Sequence, residues 1–172
     1  LSSAASDVYK RQMKELHDPD IELWLCGSGE MEEEIRAYAA QDSRIRFFGF
    51  LPHEEAVQLQ KQATVLVNPR TNQGEYTKYS FPSKTMEYMA SGRPVMMFRL
   101  DGIPGEYDPF LMYIPEESAA SIRDTVESLR KSSPSELDAM GARGRAFVLK
   151  NKNRNVQMHR VLDFIHKEQS NA

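Results

Sequence analysis

The chain has 172 residues, a formal net charge of −3, one cysteine and 40% hydrophobic residues. This length and hydrophobic content predict one domain with a buried core, and the net charge gives no electrostatic reason to expect nucleic-acid binding. The single cysteine, Cys26, excludes an internal disulfide and fits a reducing compartment. No apolar run approaches the roughly 20 residues that a transmembrane helix needs, so we expect a cytoplasmic protein.

The first dozen residues, L-S-S-A-A-S-D-V-Y-K-R-Q, do not fit the rest of the chain. They lack the charged start, apolar middle and cleavage site of a signal peptide, and the first methionine is Met13. They resemble an adaptor-like sequence found at the ends of reading frames assembled from environmental DNA. We therefore predict that residues 1–12 are a non-native leader; the alternative is an ordinary helix from Ala4 to Leu16.

Apolar strand patterns and helical patterns alternate along the remainder, residues 13–172. Strands are predicted at residues 21–25, 45–48, 64–67, 94–98 and 111–114. Helices are predicted at residues 31–40, 53–61, 119–131 and 156–167, with one more ending at Gly92 and one capped by Ser135. This order predicts an α/β domain with a Rossmann-like parallel sheet, helices on both faces and ligands at the carboxyl ends of the strands.

The stretch from Asn68 to Val95 forms the centre of this pattern. It begins where the apolar run 64–67 ends, continues through a polar loop and opens a helix at S-F-P-S-K. Ser80 or Ser83 is expected to cap that helix, and Pro82 suits its first turn because a missing N–H costs nothing there.

Three side chains of this stretch indicate what kind of ligand it could bind. A helix start that carries Ser83 and Lys84 favours a bound phosphate. Glu87 lies one helical turn beyond Lys84, and its carboxylate can accept hydrogen bonds from two neighbouring sugar hydroxyls. Together they favour a nucleoside diphosphate site, and the alternative is a capped surface helix with a Lys84–Glu87 pair.

The segment S-F-P-S-K-T-M-E-Y-M-A-S-G-R-P-V resembles the donor-site motif of retaining, nucleotide-sugar-dependent glycosyltransferases with the GT-B fold. More narrowly, it resembles bacterial transferases of capsule, exopolysaccharide and lipopolysaccharide assembly. The resemblance implies that Glu87 holds the nucleotide ribose. It also implies that the residues just before it, Phe81, Pro82, Ser83 and Lys84, contact the diphosphate.

One position departs from that family. Many members carry a second acid eight positions before the ribose-binding one, and this chain has Tyr79 there, with Glu75 out of register. What touches the donor sugar is therefore open. Tyr79 and Ser80 are counted with the expected donor-binding residues.

Two glycine-containing loops complete the expected site. The resemblance implies that Gly27, Ser28 and Gly29 lie near the donor phosphates and sugar. A plain strand-to-helix turn is the alternative, because Glu32 stands where the dinucleotide fingerprint has a third small residue. The loop that contains Gly49 and Leu51 is implied to receive the nucleobase against main-chain groups, and the expected donor is a UDP-sugar.

The resemblance covers roughly residues 21–165 and implies the C-terminal, donor-binding half of a GT-B enzyme. We therefore expect this chain to lack the N-terminal acceptor domain, the first donor-domain strand and the cations which that strand usually carries. Lys84 and Arg70 are the local cations left to bind the diphosphate. We expect the helix dipole and side-chain cations to balance the phosphate charge, with no metal and no cofactor; the catalytic residues are unknown.

The expected partners are a nucleotide-sugar donor, the missing domain and a glycan or lipid-linked acceptor, at the inner face of the membrane in a full-length protein. Two other classes stay open: a GT-B-fold UDP-sugar 2-epimerase and a non-catalytic nucleotide-sugar-binding module. His53, at a helix start, is expected to be a capping or surface residue rather than a catalytic base. The apolar stripe of the last helix, Val161, Leu162 and Ile165, is expected to pack in the core or against a partner domain.

Overall fold

The structure is a computed structural model that describes Leu16, residues 18–72 and residues 78–170. Strands and helices alternate through these residues as predicted. The strands are β1 (Leu23–Leu25), β2 (Ile45–Phe47), β3 (Leu66–Asn68), β4 (Val95–Phe98) and β5 (Met112–Ile114). The helices are α1 (Glu32–Gln41), α2 (His53–Gln62), α3 (Ser83–Ser91), α4 (Ala119–Leu129), α5 (Pro134–Asn151) and α6 (Arg154–Ser170), and a 3-10 helix (Gly105–Phe110) precedes β5.

The strands are parallel, but the described ones form two sheets instead of the single predicted sheet. One sheet pairs β1 with β2, and the other has the order β3-β4-β5. Within each sheet a connection that contains a helix joins consecutive strands, as parallel pairing requires. Helix α2 instead leads from one sheet to the other. The α/β class and the flanking helices are confirmed.

Strand β4 lies at the centre of the larger sheet and is buried at all four positions. Its side chains alternate between two apolar clusters, as the period of a strand dictates. Val95 and Met97 pack in the cluster that holds Met89 of α3, whereas Met96 and Phe98 pack in the cluster that holds Ile122 of α4. Helices therefore cover both faces of this sheet.

The β1–β2 sheet has a smaller core. Its buried cluster contains Leu16, Leu25, Ile35 and Ile45 among the described residues. Val126 of α4 packs against this cluster and also against the α4 side of the larger sheet. Helix α4 thus connects the two cores.

Helices α3 and α5 approach each other unusually closely. Gly141 of α5 lies against the end of α3, and a Cβ built on it would be 2.0 Å from the carbonyl oxygen of Gly92. Gly92 follows α3 with a φ of 86°, a left-handed conformation that favours glycine, so the predicted helix end is confirmed. Glycine at position 141 is required because a backbone group occupies the place of any side chain.

The start of α5 corrects one prediction. The N-cap is Ser133, not Ser135, and its side chain accepts a hydrogen bond from the backbone N–H of Glu136. The Glu136 side chain in turn accepts from the backbone of Ser133, which forms a capping box with Pro134 at the first helical position. The S-x-x-E spacing satisfies two N–H groups at once, which Ser135 cannot do.

The last helix leaves its apolar residues exposed. Met158, Val161, Leu162 and Ile165 recur at helical spacing, and each side chain is 44–53% exposed. The expectation that this stripe packs in the chain's own core is therefore wrong, and packing against a partner domain stays a prediction. Across the part of the chain that the structure describes, no helix is long and apolar enough to cross a membrane.

Candidate functional site

Hydrogen bonds join the end of β3 to the first turns of α3. The Asn68 side chain donates to Thr85 Oγ1 over 3.2 Å, and Thr85 is completely buried. The Asn68 carbonyl oxygen Oδ1 also accepts from the backbone N–H of Arg70. The strand end, the following loop and the helix start are thereby held in one arrangement.

The start of α3 differs from the expected cap. Pro82 occupies the N-cap position, Ser83 is the first helical residue, and no side chain caps the helix. Ser80 instead accepts a hydrogen bond from Arg70 Nη2 at 2.9 Å. Neither expected serine caps the helix, because the proline stands at the one position from which a hydroxyl could reach the first-turn N–H groups. A helix start without a side-chain cap suits an anion.

Phe81 has a structural contact that limits its role. Its ring packs 4.9 Å from the ring of Tyr107 and lies against the core cluster on the α3 side of β4. Its side chain therefore packs the helix start against the core. Tyr79, at the position where many family members carry a second acid, is 89% exposed. Glu75 lies outside the described residues.

Glu87 is the centre of a hydrogen-bonded cluster. Lys84 Nζ lies 2.9 Å and 3.0 Å from its two carboxylate oxygens, so the ion pair considered as the alternative is present. Gln60, from α2, donates through Nε2 to the same Oε1 over 2.6 Å. The Lys84 side chain is 60% exposed and that of Glu87 28%, which leaves one side of the cluster open to solvent.

The environment keeps Glu87 ionised. Burial alone would raise the pKa of its carboxyl group, but the hydrogen bonds from Gln60 and Lys84, with the charges of Lys84 and His53, lower that pKa below its usual value. His53 is exposed as expected and begins α2, where Pro52 holds the N-cap position. The carboxylate is thus an acceptor of hydrogen bonds over the physiological pH range.

The two glycine-containing loops lie side by side at the carboxyl ends of β1 and β2. The Gly27 N–H donates to the Gly49 carbonyl oxygen over 2.8 Å, and both residues have positive φ, 142° and 66°. A Cβ at Gly27 would meet nothing within 4 Å, so the space beside this backbone is open. Ser28 and Gly29 are exposed, and Leu51 is half-buried.

The hydroxyl next to Glu87 in α3, that of Tyr88, has a raised pKa. Burial raises the pKa of the Tyr88 hydroxyl, Glu87 and Cys26 raise it further, and Lys84 opposes them. The structure brings together Lys84 and Glu87, Arg70 and Ser80, and the two glycine loops; it shows no contact of Tyr79 with any of them among the described residues.

Sequence reasoning missed Gln60. A signal was available, since Gln60 falls at helical spacing from Ala56 and Val57 on the half-buried face of α2. A glutamine on such a face needs a polar partner, but the sequence does not show that the partner is Glu87 on another helix. For metals, the described residues contain no group of three or more His, Cys, Asp or Glu side chains that could hold an ion.

Comparison with known proteins supplies a family. The model of the family described as Glycosyl transferases group 1 matches residues 3–131. Among curated proteins, none matches the chain.

Solved structures match along most of the chain. A sucrose-phosphate synthase from Thermosynechococcus elongatus is 18% identical over 96% of this chain, with a TM-score of 0.73. The catalytic domain of a cholesterol-alpha-glucosyltransferase from Helicobacter pylori is 18% identical over 85% of this chain and 91% of its own, with a TM-score of 0.59. The chain spans 42% of the sucrose-phosphate synthase structure. At this identity the likeness establishes the fold.

Proposed function

Because this chain belongs to the glycosyl transferases group 1 family, we propose that it is the donor-binding half of a retaining glycosyltransferase that takes its sugar from a nucleotide-sugar. UDP is the proposed nucleotide, and a glycan or lipid-linked acceptor of cell-surface polysaccharide synthesis is the proposed acceptor. The observation that carries this proposal is the ionised Glu87 beside the uncapped start of α3.

Glu87 is proposed to bind the ribose of the donor. Its carboxylate is held on one side by Gln60 and remains open on the other. A carboxylate offers about four acceptor positions, so two neighbouring ribose hydroxyls can both donate to it once Lys84 moves aside. The backbone of the loop between Gly49 and Leu51 is proposed to bind the nucleobase.

The diphosphate is proposed to bind at the start of α3. Lys84 and Arg70 supply positive charge there, and the first-turn N–H groups with the helix dipole supply the rest. Ser80 and Ser83 lie beside them and can donate their hydroxyls. The exposed turn from Gly27 to Gly29 is proposed to face the phosphates and the sugar across an open space.

The chain is proposed to act with an acceptor domain that lies outside it. Transfer between two substrates depends on holding both in register, an effect worth several orders of magnitude in rate. The chain by itself is therefore proposed to bind the nucleotide weakly without transferring sugar. The full-length enzyme is proposed to work in the cytoplasm, at the inner face of the membrane where lipid-linked acceptors are presented.

The decisive experiment is Glu87→Ala. Loss of a charge-assisted hydrogen bond to ribose costs roughly 1.5–3 kcal/mol, or about a ten- to hundredfold loss of UDP affinity. Titration calorimetry with UDP on this chain, and turnover of a full-length parent enzyme, measure the loss. Asp163→Ala, an exposed carboxylate on α6, is the control, and it is expected to leave UDP affinity unchanged. Wild-type UDP affinity in the Glu87 variant would show that Glu87 does not contact the nucleotide.

A second experiment tests how the phosphate charge is balanced. If Lys84, Arg70 and the helix dipole carry it, sugar transfer by a full-length parent survives EDTA. Activity is measured before and after chelation, and again after Mg²⁺ or Mn²⁺ is added back. Loss of transfer on chelation with recovery on adding either ion would refute the metal-independent assignment.

A further inference from the structure

Gln60 makes a contact that the packing of α2 does not require. It sits on the half-buried face of the helix with Ala56 and Val57, and its Nε2 donates to Glu87 Oε1 over 2.6 Å. Its own carbonyl oxygen is buried and has no hydrogen-bond partner within the described ranges. The amide nitrogen of Gln60 thus has a hydrogen-bond partner, whereas the amide oxygen has none among the described residues.

This arrangement is costly for stability alone. A buried carbonyl oxygen without a partner loses its hydrogen bonds to water and gains none in return. A methionine has a similar length and would fill the same place without that cost. Reversing the amide would be worse, because it would bring the carbonyl oxygen against the Glu87 carboxylate. What glutamine supplies here is therefore the N–H donated to Glu87.

Lys84 cannot supply the same support when a nucleotide is bound. Its side chain is 60% exposed, and an exposed ion pair gives way easily to a stronger partner. A diphosphate at the start of α3 would be such a partner, since it carries more than one negative charge. Glu87 would then keep Gln60 as its one remaining donor from the described residues.

We propose that Gln60 is a positioning residue for Glu87: it holds Oε1 while Lys84 transfers from the carboxylate to the diphosphate, so that the carboxylate stays aimed at the ribose hydroxyls. This inference rests on the proposed nucleotide site. It explains why Lys84 and Glu87 are paired in the free protein although both are assigned to the ligand. The pair occupies the site until the nucleotide separates it.

The test is Gln60→Met, with Gln58→Met as the matched control on the exposed face of the same helix. Gln60→Met is expected to weaken UDP binding about five- to tenfold and to leave pyrophosphate binding unchanged, because pyrophosphate has no ribose. In a Glu87→Ala background the same change is expected to have no further effect on UDP affinity. The midpoint of thermal unfolding is expected to stay the same or rise, whereas a purely structural role predicts a fall.

A second measurement needs no nucleotide. Carbon NMR of the Glu87 carboxyl group follows its pH titration in the free protein, in which Lys84 of α3 and His53 of α2 also act on it. Since the Gln60 hydrogen bond helps to lower the pKa of Glu87, Gln60→Met is expected to raise that pKa and Gln58→Met to leave it alone. Gln60→Leu replaces the methionine variant if that one does not fold.

The outcomes separate the two proposals. If the wild-type chain binds none of UDP, ADP and GDP, the nucleotide site is refuted and the role of Gln60 with it. If UDP binds and Glu87→Ala weakens it while Gln60→Met binds UDP as tightly as wild type, the site stands and the inference about Gln60 is overturned.

Discussion

The two sheets contribute to the site in different ways. The β3-β4-β5 sheet is buried on both faces, and it carries α3, whose side chains Lys84 and Glu87 present opposite charges. The β1–β2 sheet has a smaller core, and its strands end in loops that contain Gly27 and Gly49, both with positive φ. In the proposed site, one region thus offers side-chain groups and the other offers backbone groups.

The difference follows from what each kind of recognition needs. A side chain binds with useful geometry only when the element that carries it is fixed, which a helix packed on a fully buried strand achieves. A backbone group needs a turn that exposes it and a residue without Cβ that lets the ligand approach. The two regions should therefore respond differently to substitution.

The largest effect is expected where α3 meets α5. In Gly141→Ala the new Cβ would overlap the Gly92 carbonyl, which is backbone and cannot rotate away, so the helices must separate. We expect a loss of about 3 kcal/mol or more in the free energy of unfolding, and weaker UDP binding because α3 moves. Urea denaturation and calorimetry measure the two quantities.

The same change three residues further along α5 is the control. A Cβ on Gly144 would lie 3.7 Å from the Met89 methyl carbon, an ordinary contact. Gly144→Ala is expected to be neutral or to stabilise by up to about 1 kcal/mol, because alanine favours a helix. Equal effects of the two substitutions would show that the closeness of α3 and α5 does not determine stability here.

A smaller effect is expected in the β1 loop. Gly27→Ala meets no neighbouring atom, so its cost comes only from the backbone conformation at a φ of 142°. That strain is of order 1–3 kcal/mol, and it should change the loop and its proposed contact with the donor. Ser28→Ala, exposed in the same turn, should leave unfolding unchanged within about 0.5 kcal/mol. A large effect at Ser28 with none at Gly27 would contradict recognition through the backbone.

Much of the fold could be predicted because hydrophobic period and helix-end signals are local. Strand β4 is a continuous apolar run, and Gly92 ends α3 as its sequence position indicated. The cap of α5 was misassigned because two serines, Ser133 and Ser135, stand close together, and only the spacing to Glu136 separates them. The S-x-x-E spacing from Ser133 to Glu136 is visible in the sequence, and it is a stronger cap signal than Ser135, which stands directly before Glu136.

The candidate site was less predictable because its contacts are not local. The Lys84–Glu87 pair follows from helical spacing and was considered. The bond from Gln60 spans 27 positions and depends on how α2 packs beside α3. The division into two sheets and the exposed face of α6 likewise depend on tertiary arrangement, which the order of elements leaves undetermined.

The smallest expected effect on stability is that of Lys84→Gln, and it distinguishes a binding role from a structural one. In the free protein, Lys84 makes two opposing contributions to the free energy of unfolding. A cation in the first turn of a helix is unfavourable by roughly 0.3–1 kcal/mol, whereas an i,i+3 pair with Glu87 contributes roughly 0.2–0.5 kcal/mol. Their sum predicts a thermal midpoint that stays the same or rises slightly.

Affinity is expected to change although stability does not. With one fewer charge at the start of α3, UDP binds more weakly and its affinity depends less on salt concentration. Calorimetry at two ionic strengths measures both changes, and Lys131→Gln, an exposed lysine beyond the end of α4, is the matched control. Unchanged UDP affinity in Lys84→Gln would leave the start of α3 as structure only. It would shift the proposed phosphate contacts to Arg70 or to the turn between Gly27 and Gly29.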